Sequence, residues 1–303
     1  MLSPEKQAEA AHVAALVVRA AHLSAFRVTG KDRVTWLNGL LTCELLTLKS
    51  GQATYGLLVD KKGKITCDLF VLVLETELRL AVPTRVKEQA FEVLDHHLIM
   101  EDAELAPVDE SVFFAHGPKA SSLSPRNAVG GRVAVTQLGG AVWFANDAEG
   151  FVSSITPSLH ELGGAMGDPA GWEFLRVILG VPAFGVDFDQ SNYPQEASLE
   201  KAAVSFSKGC YLGQEVVFML EKRGHPKQRT VRLRVSGGAP APGSAVKAES
   251  GEDVGKITSS VSLGGTGTAL AMVKWAFSNG GTHLLTDHGA AEVLSAAGAG
   301  TGS

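Results

Sequence analysis

The chain is poor in cysteine, with three among 303 residues, and that scarcity excludes a fold held together by disulfides. An odd thiol count fits a reducing compartment, and Cys43, Cys67 and Cys210 match no structural zinc spacing. Three scattered thiols also fall short of the four that usually hold a resident iron–sulfur cluster, so no bound metal is expected. Long hydrophobic runs are missing. The apolar stretch at 69–74 is well short of the roughly 20 residues of a membrane span, and no membrane partner is expected. Positive charge is not in surplus either: 27 Lys and Arg stand against 32 Asp and Glu, for a net charge of −5. That balance does not suit a general phosphate-neutralising surface, and no direct nucleic-acid partner is expected. The first residues lack a basic stretch followed by an apolar block, and Glu5 and Glu9 do not fit an Arg-rich transit segment. A cytoplasmic location is expected.

What is present is ordinary globular material, 45% hydrophobic and 19% charged, long enough for two or three domains. Pro4 and Glu5 open a helix that Val13, Leu16, Val17 and Ala20 extend at helical spacing. Residues 24–30 predict a strand, 31–41 a helix, 55–80 three strands with a turn at 60–63, and 86–94 a helix. This order is α+β and not the regular repeat of a doubly wound sheet. Strands follow at 112–114 and within 131–144, with helices at 158–162 and 172–179. From residue 230 the pattern changes to short alternating runs punctuated by Gly, Ser and Thr, as in a small barrel. The predicted organisation is an N-terminal helix in 1–19 and a first α+β unit over 20–110. A second α+β unit over 111–229 carries Cys210, with interleaving of the two units left open. A C-terminal β-barrel over 230–295 and a flexible tail at 296–303 complete it.

The segment richest in chemistry is Lys208-Gly209-Cys210-Tyr211-Leu212-Gly213-Gln214-Glu215. Two glycines bracket the thiol, and the apolar spacing of Val216, Val217, Met219 and Leu220 predicts a helix just after it. A helix N-terminus and the Lys208 ammonium both favour a thiolate, which would make Cys210 reactive. A buried structural cysteine in a glycine-rich turn fits the same residues. Lys222, Arg223, His225, Lys227, Arg229, Arg232 and Arg234 follow as a basic cluster, read either as a solvated turn and outward strand face or as a patch for an acidic partner, a folate tail or RNA phosphates.

This segment resembles the K-G-C-Y-x-G-Q-E signature of the YgfZ family, folate-binding relatives of the glycine-cleavage T-protein. The resemblance extends to 28–41, to 52–69 with Lys62-Gly63-Lys64-Ile65, to 172–185, to Tyr193-Pro194-Gln195, and to 255–260 and 269–271. It implies two ferredoxin-like α+β units and a small C-terminal β-barrel around a central folate-binding channel. It also implies a role in assembling or repairing iron–sulfur clusters in client enzymes, including tRNA-modifying ones. The partners so implied are folate, as tetrahydrofolate, and iron–sulfur client or carrier proteins, with Cys210 the key residue. A family tryptophan linked to folate falls on Trp172, and a second falls on Leu23, a departure. A pterin ring wants an aromatic face, a carboxylate for its N–H groups and cations for its glutamyl tail. Trp172, Glu196 and Arg176 are the candidates in that order, with Glu196 equally readable as a surface carboxylate. Two alternatives stand beside this reading. One is a T-protein-type tetrahydrofolate-dependent aminomethyltransferase, whose Asp-Asp pair is here Cys67-Asp68. The other is a non-catalytic module that responds to folate or thiols.

Overall fold

The computed structural model describes residues 2–134, 136 and 138–298, and for Arg223 the backbone. The chain divides into two compact units. The first takes in the chain up to Val59, Thr66–Trp172 and Ser207–Leu212; the second takes in Asp60–Ile65, Glu173–Phe206 and the chain from Gly213 onward.

The first unit opens with α1 (Pro4–Val13), where the Ser3 hydroxyl accepts from the Lys6 N–H and Pro4 stands at the first helical turn. The helical spacing of Leu16, Val17 and Ala20 does not prolong it. Leu16–Arg19 is a strand, β1, with Leu16 and Val17 fully buried. Adjacent β-branched Val17 and Val18 favour extended backbone, and a short apolar run satisfies either period. There follow β2 (Leu23–Thr29), α2 (Arg33–Asn38), β3 (Gln52–Val59), β4 (Ile65–Val73), β5 (Leu78–Pro83), α3 (Lys87–Asp95), β6 (Glu104–Val108), β7 (Ser111–His116), β8 (Ala128–Arg132) and β9 (Gly140–Ala145). Then come α4 (Ala148–Glu161), β10 (Ala165–Met166) and α5 (Pro169–Leu179), whose residues from Glu173 belong to the second unit.

Helix α4 is far longer than the 158–162 predicted, because Gly150 and Pro157 interrupt its pattern. Its start is fixed by Asp147, which accepts from the Gly150 N–H, and Phe151, Ile155 and Leu159 are its fully buried stripe.

The strands form one ten-stranded sheet in the order β10-β1-β7-β9-β8-β3-β4-β5-β2-β6. Its two halves meet at β3 and β8, where the parallel pair Gln52–Arg132 joins them. Gly131 beside it has no room for a side chain, since a Cβ would stand 2.5 Å from the Gly51 carbonyl oxygen. The sheet curls strongly. β4 and β7 are four places apart, about 19 Å in a flat sheet, yet the Phe70 and Phe114 rings lie 4.6 Å apart. One face of β7 packs Phe113 and Ala115 with the α4 stripe, and the other turns Phe114 and His116 into the concave side.

The second unit holds the loop between β3 and β4, the rest of α5, α6 (Glu200–Ala203), α7 (Gln214–Arg223) and a closed barrel. The barrel strands are β11 (Gln228–Val235), β12 (Ala245–Ala248), β13 (Asp253–Leu263), β14 (Thr266–Lys274), β15 (His283–Thr286) and β16 (Gly289–Ala296), ordered β11-β14-β13-β12-β15-β16. Val231, Leu233 and Val235 fill the interior beside Ala269, Ala271 and Val273, the small residues fitting a narrow barrel. At the chain end, Ala297 donates to the Thr230 carbonyl and Gly298 to that of Gly180. The remainder of the predicted tail, 299–303, lies outside the described residues.

The mixed architecture with a separate small barrel is the α+β class expected from sequence. Among the described residues, no helix is long and apolar enough to cross a membrane.

Candidate functional site

The concave face of the first unit carries a line of rings. Tyr55 of β3 lies 4.8 Å from Phe70 of β4, Phe70 lies 4.6 Å from Phe114, Phe114 5.9 Å from His116, and His116 4.3 Å from Trp172. The last pair is stacked, with 14° between the planes. Beside these rings stands Asp68, whose carboxylate accepts from the Tyr55 hydroxyl at 2.8 Å. Burial pushes the Asp68 carboxyl up to about 6, against the lowering effect of that hydrogen bond. The Tyr55 hydroxyl is driven up as well, by burial and then by the adjacent carboxylate. Strand alternation turns the preceding Cys67 away from Asp68 and into the core, where it is fully buried and its thiol is raised by desolvation. His116 is 1% exposed, neither ring nitrogen has a partner, and burial lowers it to about 3.

The cysteine segment is split between the units, with Lys208 to Leu212 in the first. Lys208 is buried, and its ammonium donates to the carbonyls of Asn38, Leu41 and Cys43 at 2.7, 2.8 and 2.6 Å. All three donors of the ammonium are thereby engaged, and desolvation lowers its pKa. The charge expected beside the thiol is thus turned into the loop that follows α2. The Leu212 N–H donates to the Gly39 carbonyl, and the buried Tyr211 ring lies 5.4 Å from the ammonium. With its neighbours so tied, Cys210 stands exposed, whereas Cys43 and Cys67 are buried and the Cys43 thiol is pushed up to about 12 by desolvation. Gly209 is exposed, and a Cβ there meets nothing within 4 Å. Gly213, by contrast, has φ 74° at the head of α7, a conformation that favours glycine. Gln214 and Glu215 form the first turn of α7, with Glu215 exposed where a carboxylate suits the helix dipole.

Arg176 and Glu196 belong to the second unit and to separate networks. Arg176 is 1% exposed and donates to both oxygens of Glu173, to Asp187 at 2.6 Å, to the Val181 carbonyl and to the Ser259 hydroxyl. These bonds use all five guanidinium donors, so none remains for a glutamyl tail. Glu196 is buried too. It accepts from the Tyr193 N–H and the Asn192 amide, and the Lys64 ammonium lies 3.6 Å away. Of the three residues expected at the folate, Trp172 alone joins the ring-lined face.

Asp68 was visible in the sequence as the survivor of a carboxylate pair. Tyr55, Phe70, Phe114 and His116 were missed; for Phe70 alone a local signal existed, an aromatic at the alternate strand position from an aspartate flanked by apolar residues. Among the described residues, no group of three or more His, Cys, Asp or Glu side chains is placed to hold a metal ion.

The GCVT N-terminal domain matches residues 3–126. The tRNA-modifying protein YgfZ of Escherichia coli is 26% identical over 262 residues, covering 82% of this chain and 78% of the relative. The protein of that name from Vibrio atlanticus is 26% identical over 226 residues, covering 71% and 67%. A chloroplastic protein of Arabidopsis thaliana, provisionally named a transferase, is 27% identical over 269 residues; the match covers 80% of this chain but 61% of that protein's length. Among solved structures, the glycine cleavage system aminomethyltransferase T of Bartonella henselae superposes with a TM-score of 0.82 at 19% identity, over 96% of this chain and 88% of that one. The fold is that of the T-protein, and in sequence the chain is similar to YgfZ proteins.

Proposed function

We propose that the protein binds a folate on the concave face of its first unit and supports assembly or repair of iron–sulfur clusters in client enzymes, tRNA-modifying ones among them, through Cys210. The observation that carries this reading is the presence in one unit of an aromatic face around Asp68 and of an exposed thiol on an anchored segment. Trp172 and Tyr55 offer flat apolar surface, and Asp68, oriented by the Tyr55 hydroxyl, offers acceptors for ring N–H and amine groups. Asp68 replaces Glu196 as the proposed pterin carboxylate, because the Glu196 carboxylate is already engaged by Lys64, Asn192 and Tyr193. A reduced folate would supply a ring nitrogen able to carry a one-carbon unit. Lys208 holds the segment from which Cys210 meets a client, a carrier or a cluster passing between them.

The test is complementation of a deletion strain by wild type and Cys210→Ser, read as the activity of an iron–sulfur enzyme. Wild type is expected to restore activity and the serine form to fail. Rescue by both would favour the non-catalytic, folate-responsive module, and rescue by neither, with both proteins soluble, would sink the cluster role.

Asp68, raised and hydrogen-bonded on a T-protein fold, sustains one second reading, tetrahydrofolate-dependent aminomethyl transfer. The neighbouring position carries Cys67 with its thiol in the core, so a single carboxylate of that pair faces the rings. No turnover is expected with tetrahydrofolate and an aminomethyl-lipoyl donor.

A further inference from the structure

His116 ends β7 on the concave side, two residues beyond Phe114, and its side chain is almost wholly enclosed. Trp172 covers its face at 4.3 Å and 14°, and Phe114 stands tilted at 5.9 Å. Stacking uses the face of an imidazole and leaves its in-plane nitrogens for hydrogen bonds. Here neither nitrogen has a partner in the protein. Buried polar atoms are costly to leave unpaired, and phenylalanine would fill the same space without that penalty, as the neighbouring Phe70 and Phe114 show. The fold therefore gives no reason for the two nitrogens. A neutral imidazole carries one donor and one acceptor, and it forms no ion pair. Such a group matches an amide-like or amidine-like edge, which offers both an acceptor and a donor, whereas an ionised carboxylate tail would use its N–H alone.

We propose that His116 reads the ligand of the concave face, with a ring nitrogen hydrogen-bonded to the uncharged polar edge of the planar heterocycle bound there. This rests on the folate reading above and adds the residue that selects for the ring. Tyr55 and Asp68, at the other end of the ring line, recognise the ligand's donors; His116 recognises a second edge.

The experiment follows binding of 5-formyltetrahydrofolate by calorimetry in wild type, His116→Phe and His116→Gln, with melting of each unliganded protein. A ¹⁵N spectrum of histidine-labelled wild type is recorded with and without the same folate. His116→Phe is expected to weaken binding about 3- to 10-fold, the worth of one neutral hydrogen bond. It is also expected to melt at or above wild type, because an unpaired buried group has been removed. His116→Gln should recover part of the affinity, and the His116 ring nitrogens should shift on ligand addition.

Unchanged affinity in His116→Phe, or ring nitrogens unmoved by bound folate, would overturn the role of His116 while leaving the folate site standing. A melting point several degrees below wild type would also overturn it, by showing that the nitrogens are matched within the protein or by internal water. Failure of wild type to bind the folate at all would instead remove the reading on which the role rests. Should His116→Phe not fold, the ¹⁵N shifts in wild type decide alone.

Discussion

Asp68 holds a proton to higher pH than an ordinary aspartate because its surroundings solvate charge poorly. An unfolded chain titrates this side chain near 3.9, and the fold near 6. Between those values the folded protein carries the extra proton, so stability falls as pH rises from about 4 to 6 and stays lower above. Asp68→Asn removes the penalty and still accepts from Tyr55. After discounting for partial exposure, it is expected to be more stable than wild type at pH 7.5 by on the order of 1–2 kcal/mol, with the difference gone at pH 4. Urea unfolding at the two pH values checks this. The same substitution is expected to weaken folate binding, the pattern of a residue kept for a ligand at some cost in stability.

At the scale of elements, helix α5 joins the barrel strand β13 through one guanidinium, since Arg176 meets both Asp187 and Ser259. Asp187 in turn accepts from Thr258 and Ser259 and is 2% exposed. Arg176→Met would leave that carboxylate buried without its cation, and a loss of about 3–5 kcal/mol is expected in urea unfolding. The spacing of Trp172 and Arg176 made them one helical face and one candidate site. Sequence spacing reports a shared face but not what that face meets, and here the indole stacks on His116 while the guanidinium is consumed in its own network. Elsewhere the local signals were sufficient. The alternation of β11 and the turn between β3 and β4 are written in neighbouring residues, whereas α4 was hidden by Gly150 and Pro157 and β1 by a run short enough to fit either period. His116 was illegible for a further reason. Its burial and its lack of a partner arise from the curl of a ten-stranded sheet, which no window of neighbouring residues encodes.

For the molecule as a whole, a net charge of −5 sets the terms on which it meets nucleic acid. Any influence on tRNA modification is expected to pass through a client enzyme. No saturable binding of tRNA is expected below about 100 µM at physiological salt, the weak end of non-specific association, and a mobility-shift titration checks it. The anchoring of Lys208 has its own consequence for how the chain matures. Its bonds join residues 165 to 170 positions apart, so they close only after nearly all of the first unit's chain has been made. Loop closure over such a distance carries a large entropic cost before any contact rewards it. The setting of Cys210 is accordingly among the last parts of the unit to form, and a half-folded chain carries that thiol without its mount.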